Sequence, residues 1–354
     1  MGGACVHTIA SMQTQHPTTH QRPPVAPAAD GGPQGARRLF QLEEAGQPTL
    51  ALQVQQGAAP PDPGDVVYVH GSTFGADLSV FHRFGGDSWA DALNSAGLTV
   101  WGFDWAGYGH SGRYPRDSTE AVGRMADVLP QLHRVIAAVR ARNGDRPVAL
   151  VAHSWGASVA ACYASHHPQD VQALVLFAPI VPRSPALVPA ATATLAAMLP
   201  SHYPVSIWAQ YRRFVEDVPR GHPQVLDEAH FLAWSQAYLA TDPDAARRSP
   251  PAVWTPAGPI ADLRAWWSGE WLYEPARVQA PTLLVRGAWD SLCTDADAAT
   301  LLAALGSPCK ADCRIEDATH LMHLEQQRGA LYRQVNTFLL EALVSTPFSP
   351  LEIS

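Results

Sequence analysis

The chain has 354 residues, with 32 Asp plus Glu against 24 Lys plus Arg and a formal net charge of −8 at pH 7. This mild acidity, without a long basic run, argues against nucleic acid or an anionic membrane surface as partner. With 47% hydrophobic and only 16% charged residues the chain can bury a sizeable core, yet no segment approaches the roughly eighteen uninterrupted apolar residues of a membrane span.

Residues 1–36 are rich in Pro, Thr, Gln, His and Ala, show neither alternation nor a helical stripe, and are expected to form a disordered tail. They do not read as a secretory signal, because the stretch from Val6 to Met12 is broken by polar residues. Leu39 opens the ordered domain, with an antiparallel hairpin expected through Thr49-Leu50-Ala51-Leu52-Gln53-Val54. The run Asp65-Val66-Val67-Tyr68-Val69 reads as a buried strand ending in the turn His70-Gly71-Ser72. Asp87 is placed as N-cap of a helix from Ser88 to Ala96, closed by Gly97. The next strand, Leu98 to Phe103, leads into Asp104-Trp105-Ala106-Gly107-Tyr108-Gly109-His110-Ser111. Asp117 and Glu120 have capping-box spacing, which predicts a long helix toward Arg142 with a kink or break near Pro130.

Pro147-Val148-Ala149-Leu150-Val151 is a buried strand, and Ala157 to Ala164 reads as a helix. Between them lies Ala152-His153-Ser154-Trp155-Gly156, the G-x-S-x-G pattern with alanine in the first small position. A serine pinned between strand and helix sits on a sharp turn, needs small neighbours two residues to either side, and has a helix N-terminus aimed at it. Val171 to Phe177 is a further buried strand. Alternating buried strands and amphipathic helices predict an α/β fold with a doubly wound, mostly parallel sheet.

From Val181 to Tyr273 the pattern changes to helical pieces broken by prolines, such as Asp227 to Leu239, with no continuous buried strand expected. Trp208, Trp234, Trp254, Trp266, Trp267 and Trp271 crowd this stretch. For each one core packing competes with a place in a pocket wall. Thr282 to Val285 resumes the strand pattern and is followed by Asp290; Cys313-Arg314-Ile315 is followed by His320. A serine nucleophile needs a base and an acid to orient it, and Ser154, Asp290 and His320 stand in that order, each beyond a strand. His323 is the other candidate base, and Asp295 and Asp297 are the other candidate acids. Asp290 comes first after its strand, and His320 lies directly off its own.

The order Ser…Asp…His, together with the His-Gly turn and the Asp104 to Ser111 turn, resembles the α/β-hydrolase superfamily. Ala106 departs from the arginine common in that family's turn. The resemblance covers about residues 40 to 342. It implies an α/β-hydrolase core over residues 37–180 and 276–345 and a helical cap over 181–275. It also implies an oxyanion hole from the Ser72 and Trp155 amides, with Thr73 as the alternative to Ser72. His70, Thr73, Trp208, Trp234 and His323 are the candidate substrate-binding residues. The expected activity is hydrolysis of a carboxylic ester or related acyl compound through an acyl-enzyme. Carbon–carbon bond hydrolysis or acyl transfer by the same residues is the alternative. A ligand-binding protein without catalysis is the reading from another class. The Trp-rich segment suggests a small-molecule substrate with an apolar or aromatic group.

Five cysteines without a regular framework suggest free thiols in a reducing compartment, and a cytoplasmic protein is expected. Cys309 and Cys313 read as small apolar residues around a strand. No metal, nucleotide or flavin signature is present, so no metal and no cofactor are expected.

Overall fold

The computed structural model describes residues 37–57, 63–184 and 199–344; the tail expected over 1–36 lies outside the described residues. The strands in chain order are β1 (Arg38–Leu42), β2 (Leu50–Gln55), β3 (Asp65–Val69), β4 (Thr99–Phe103), β5 (Val148–His153) and β6 (Val171–Phe177). Then follow β7 (His202–Ser206), β8 (Ala252–Pro256), β9 (Thr282–Gly287) and β10 (Lys310–Ile315). Eight of them form one sheet in the order β1-β2-β4-β3-β5-β6-β9-β10. The β1–β2 and β2–β4 pairs are antiparallel, and the rest of the sheet is parallel.

The inner parallel strands are predominantly apolar because both of their faces are covered, whereas the edge strand β10 carries Lys310, Asp312 and Arg314. Val66 and Tyr68 of β3 point into one apolar cluster, Val67 and Val69 into the other. Helix α1 (Trp89–Ser95) packs on the first side. Helices α2 (Met125–Asn143) and α3 (Trp155–His166) pack on the second. Full burial of each such Val, Leu or Ile is worth roughly 1.5–3 kcal/mol, which makes this sheet the rigid frame of the molecule.

Two helix starts differ from expectation. Ser88, not Asp87, caps α1, with its hydroxyl accepting from the Asp91 N–H and Asp91 answering to the Ser88 N–H. Helix α2 begins at Met125, so Asp117 and Glu120 do not open it; the reciprocal contact is from Asp127 to the Arg124 N–H. Pro130 does not break the helix. It lies five residues from the start, removes one backbone donor, and the buried stripe Val128, Leu132, Val135, Ile136 and Val139 carries α2 through to Gly144.

Between β6 and β9 the chain leaves the sheet. It forms α4 (Ile207–Val215), α5 (Glu228–Ala240) and α6 (Gly258–Trp266), and also a two-stranded antiparallel ribbon of β7 and β8. The expectation of helical pieces alone is corrected here. Pro204 and Pro256 hid the strands, because proline suits only edge strands, and both strands of a two-stranded ribbon are edges. Asp227 does cap α5, accepting from the Ala229 and His230 N–H groups. A third apolar cluster ties this insertion to the core. Phe214, Phe231 and Trp234 meet Phe74 after the Ser72 turn and Leu321 and Leu324 after His320. The chain returns to the sheet and ends with α7 (Asp295–Ala304) and α8 (Arg328–Val344).

Candidate active site

Ser154 stands between the end of β5 and the start of α3 with φ 56° and ψ −129°, a strained conformation for a residue with a Cβ. Its N–H is held by the Phe177 carbonyl at 2.8 Å. The small neighbour is needed because a Cβ on Gly156 would sit 2.2 Å from the His70 carbonyl oxygen. The turn can therefore be this tight only with glycine at that position.

His320 lies past the end of β10, with Nε2 2.8 Å from Ser154 Oγ. Its Nδ1 lies 2.9 and 3.1 Å from the two Asp290 carboxylate oxygens. With Nδ1–H donating to Asp290, Nε2 is the lone-pair nitrogen and accepts from the serine hydroxyl, a tautomer fixed by the hydrogen-bond network. Asp290 follows β9, and its Oδ1 also accepts from the Leu292 and Cys293 N–H groups at 2.8 and 3.0 Å. Burial pushes its carboxyl up. The His320 ring, its hydrogen bond, the nearby Arg213 and the Leu292 N–H outweigh that and hold it below the usual carboxylate value. A Cβ on Gly287 would lie 2.3 Å from the Ala318 carbonyl, so this glycine lets the His320 loop cross close over β9.

The rival candidates are engaged elsewhere. Asp295 pairs with Arg286, and Asp297 is buried against Arg183 and caps α7 through Thr294. His323 is buried among Phe74, Trp89, His153 and Phe177, with neither ring nitrogen hydrogen-bonded and its pKa pushed down to about 3 by burial. His153 is also held neutral by burial, and its Nε2 donates to the His320 carbonyl at 3.0 Å.

The backbone of the Ser72 turn passes beside the serine: a Cβ on Gly71 would be 3.0 Å from Ser154 Cβ. Thr73 follows with φ 81°. On the other side Trp155 is the first residue of α3, where amides lack an intrahelical acceptor. The two segments flank Ser154.

The candidate substrate-binding residues lie in different surroundings. His70 is fully buried, donating from Nδ1 to the Gly71 carbonyl and accepting the Trp105 N–H at Nε2 at 3.0 Å, so both nitrogens serve the turn itself. Trp234 is an interior residue of the insertion whose indole N–H donates to the Leu78 carbonyl at 2.9 Å. Trp208 is 68% exposed and stacks on Tyr211. Thr73 does face the insertion, with Oγ1 3.5 Å from Gln210 Oε1. Ala106, in the place of the family's arginine, leaves its turn to be held by Asp104, which accepts the Ala76 and His110 N–H groups. Arg113 reaches back to the Tyr108, Gly109 and Ser111 carbonyls.

Two supporting residues had little signal in the sequence. Glu325 accepts from the Thr319 hydroxyl and N–H, bracing the loop that carries His320, and burial raises its pKa to about 7. Asp262 of α6 accepts the Trp155 indole N–H at 3.0 Å, the Met125 N–H at 2.6 Å and Arg124 Nε at 3.1 Å. The insertion thus anchors the residue that follows Ser154.

Among the described residues one group could approach a metal ion, His133, His167 and Asp170 on the far side of α3. Its carboxylate is already occupied by Arg140 and the Tyr163 hydroxyl. The described cysteines, Cys162, Cys293, Cys309 and Cys313, carry free thiols. No helix among the described residues is long and apolar enough to cross a membrane.

A mostly parallel sheet with a serine on the strand–helix turn, hydrogen-bonded to a histidine that is itself bonded to an aspartate, defines a hydrolase-type α/β protein. The family model for the alpha/beta hydrolase fold matches residues 66–327, and the chain belongs to that family. A search of curated proteins finds no match. Among solved structures, the chain is similar to a thioesterase domain from the curacin biosynthetic pathway, at 18% identity and TM-score 0.58, covering 86% of this chain and 99% of that one. It is also similar to a monoacylglycerol lipase from Paleococcus ferrophilus, at 19% identity and TM-score 0.55, covering 84% and 99%. A third similar structure is a peroxisomal alpha-beta-hydrolase from Saccharomyces cerevisiae, at 13% identity and TM-score 0.59, covering 91% and 93%.

Proposed function

We propose that this hydrolase cleaves a carboxylic ester or related acyl compound through an acyl-enzyme on Ser154. The observation that carries the reading is the buried relay Ser154 Oγ–His320 Nε2–Asp290, with contacts of 2.8 and 2.9 Å. His320 takes the serine proton as Oγ attacks the carbonyl, then returns it to the leaving group. In the second half it activates water to release the acid. Asp290 holds the ring in the required tautomer and stabilises the imidazolium without accepting its proton. The amides of Trp155 and Ser72 receive the oxyanion, and removing one such donor costs about a hundredfold or more in rate. The described part of the insertion acts as a cap, packed on Phe74 after the Ser72 turn and on Leu321 and Leu324 after His320. The thioesterase domain and the monoacylglycerol lipase among the similar structures support an ester or thioester substrate.

The test is intact-mass labelling with a fluorophosphonate. One adduct on the wild-type protein and none on Ser154→Ala is the expected result. Folded wild-type protein that takes no adduct, even from a probe small enough to pass beneath the insertion, would leave a ligand-binding protein as the better reading.

A further inference from the structure

Segments far apart in sequence bring uncharged polar side chains together beside the Ser72 turn. Tyr108, from the turn after β4, stands edge-on to His70 at 5.1 Å, and its hydroxyl lies beside the Ser72 hydroxyl and the Thr73 N–H. Tyr203 of β7 brings a second phenol to the same Ser72 hydroxyl. Its partner across the ribbon is Thr255, and directly opposed residues of an antiparallel pair share one face. Gln210 of α4 lies against Thr73, and Tyr238 of α5 neighbours both Gln210 and Thr255.

The hydrogen-bonding capacity of this group is not used up within the protein. Tyr108 Oη, Gln210 Nε2 and Thr255 Oγ1 are buried with no partner at full hydrogen-bond geometry, in residues 6%, 2% and 1% exposed; their polar neighbours are Ser72 and Thr73 for Tyr108, and Tyr238 for the other two. Buried polar atoms of folded proteins are nearly always paired, so three loosely paired ones from neighbouring segments leave capacity for a partner from outside the chain. The amide nitrogen can only donate, while the two hydroxyls donate or accept. None of these side chains is ionised at neutral pH, so a charged group would be desolvated here without a counter-ion.

We propose that this niche binds an uncharged oxygen-bearing group of the substrate, a hydroxyl or carbonyl a few bonds from the scissile carbonyl. The substrate class is then a hydroxyacyl or oxoacyl ester or thioester, not a plain hydrocarbon acyl chain. The proposal rests on the hydrolase reading for where the scissile carbonyl lies. It displaces the expectation of an apolar or aromatic group, whose supposed contacts included the exposed Trp208 and the interior Trp234. A site built to hydrogen-bond a substrate oxygen rejects the analogue lacking it, because its own polar atoms are then left unpaired.

The test is binding to the Ser154→Ala protein, by calorimetry, of ethyl octanoate and its 2-hydroxy, 3-hydroxy and 3-oxo analogues. At least one oxygenated ester is expected to bind about tenfold or more tightly than ethyl octanoate. Adding Gln210→Leu or Thr255→Val, each checked for folding by thermal unfolding, should abolish most of that difference, with Tyr108→Phe available if either fails to fold. Equal affinities, no binding by any of the four, or a preference unchanged in the folded variants would overturn the proposal. Because this protein lacks the nucleophile, failure of the hydrolase reading shows separately, as a wild-type protein that takes no fluorophosphonate.

Discussion

The sheet core and the insertion hold their functional side chains by different means. In the core, Ser154 follows β5, Asp290 follows β9 and His320 follows β10, each beyond a strand of the same parallel sheet, so the frame sets their spacing. In the insertion, residues such as Gln210 and Thr255 sit on short elements around an aromatic cluster, and some of their polar atoms have no partner at full hydrogen-bond geometry. A rigid frame suits a reaction that needs fixed distances. Unspent polar atoms suit recognition, because a ligand can supply what the fold leaves open.

The comparison is broken most severely at the relay. Ser154→Ala should lower kcat/KM for an accepted ester by about 10⁴-fold or more while leaving thermal unfolding nearly unchanged. His320→Ala should lower it as much but also destabilise the fold, because it leaves the buried Asp290 carboxylate without its ring partner. Glycines of the two regions should then differ in stability. Gly156→Ala places a Cβ 2.2 Å from the His70 carbonyl and should cost about 3 kcal/mol or more. Gly221→Ala, in the insertion at φ +85° with open space around it, should cost only the left-handed strain of about 1–2 kcal/mol. Denaturant midpoints of the two variants check this. The join between the regions is tested by Asp262→Ala, which strands the Trp155 indole, the Met125 N–H and Arg124. A loss of about 3 kcal/mol is expected by the same measurement.

The pH response sharpens the picture of the core. Burial lowers His70 to about 4, His323 to about 3, and His153 well below its usual 6.5. Below pH 6.5 the unfolded chain takes up protons that these folded histidines refuse, so their contribution to stability is full above that pH and is lost as pH falls toward 4. Glu325, raised from 4.5 to about 7, works in the opposite sense over most of that window. With His82 likewise lowered to about 4, four histidines against one carboxyl predict a Tm several degrees lower at pH 5 than at pH 7.5, and a flat profile would contradict the neutral assignments. The smallest effect is expected from His323→Phe. Replacing an unpartnered buried imidazole among aromatic rings should shift stability by no more than about 1 kcal/mol, in either direction.

The sequence revealed most where one element suffices to explain a residue. Strands such as Val148–His153 are buried on both faces and therefore read as apolar runs, and the residues that end them could be picked out by position. His320 and His323 both follow β10, and only tertiary geometry separates the one 2.8 Å from Ser154 from the one among aromatic rings. The Trp155–Asp262 contact spans 107 positions and follows no local pattern. The Asp117 and Glu120 spacing misled because a capping box needs a helix starting immediately behind it, and α2 begins only at Met125. The β7–β8 ribbon was hidden by its prolines, and with it the facing of Tyr203 and Thr255.

The central claim is that an acyl group passes through Ser154. The direct measurement is rapid-quench mass spectrometry during turnover of a p-nitrophenyl ester, with peptide mapping of the quenched protein. The account predicts a p-nitrophenol burst near one equivalent and an acyl mass on the peptide containing Ser154. Turnover with no burst and no acyl-protein at any quench time, or an acyl group on another residue, would contradict it.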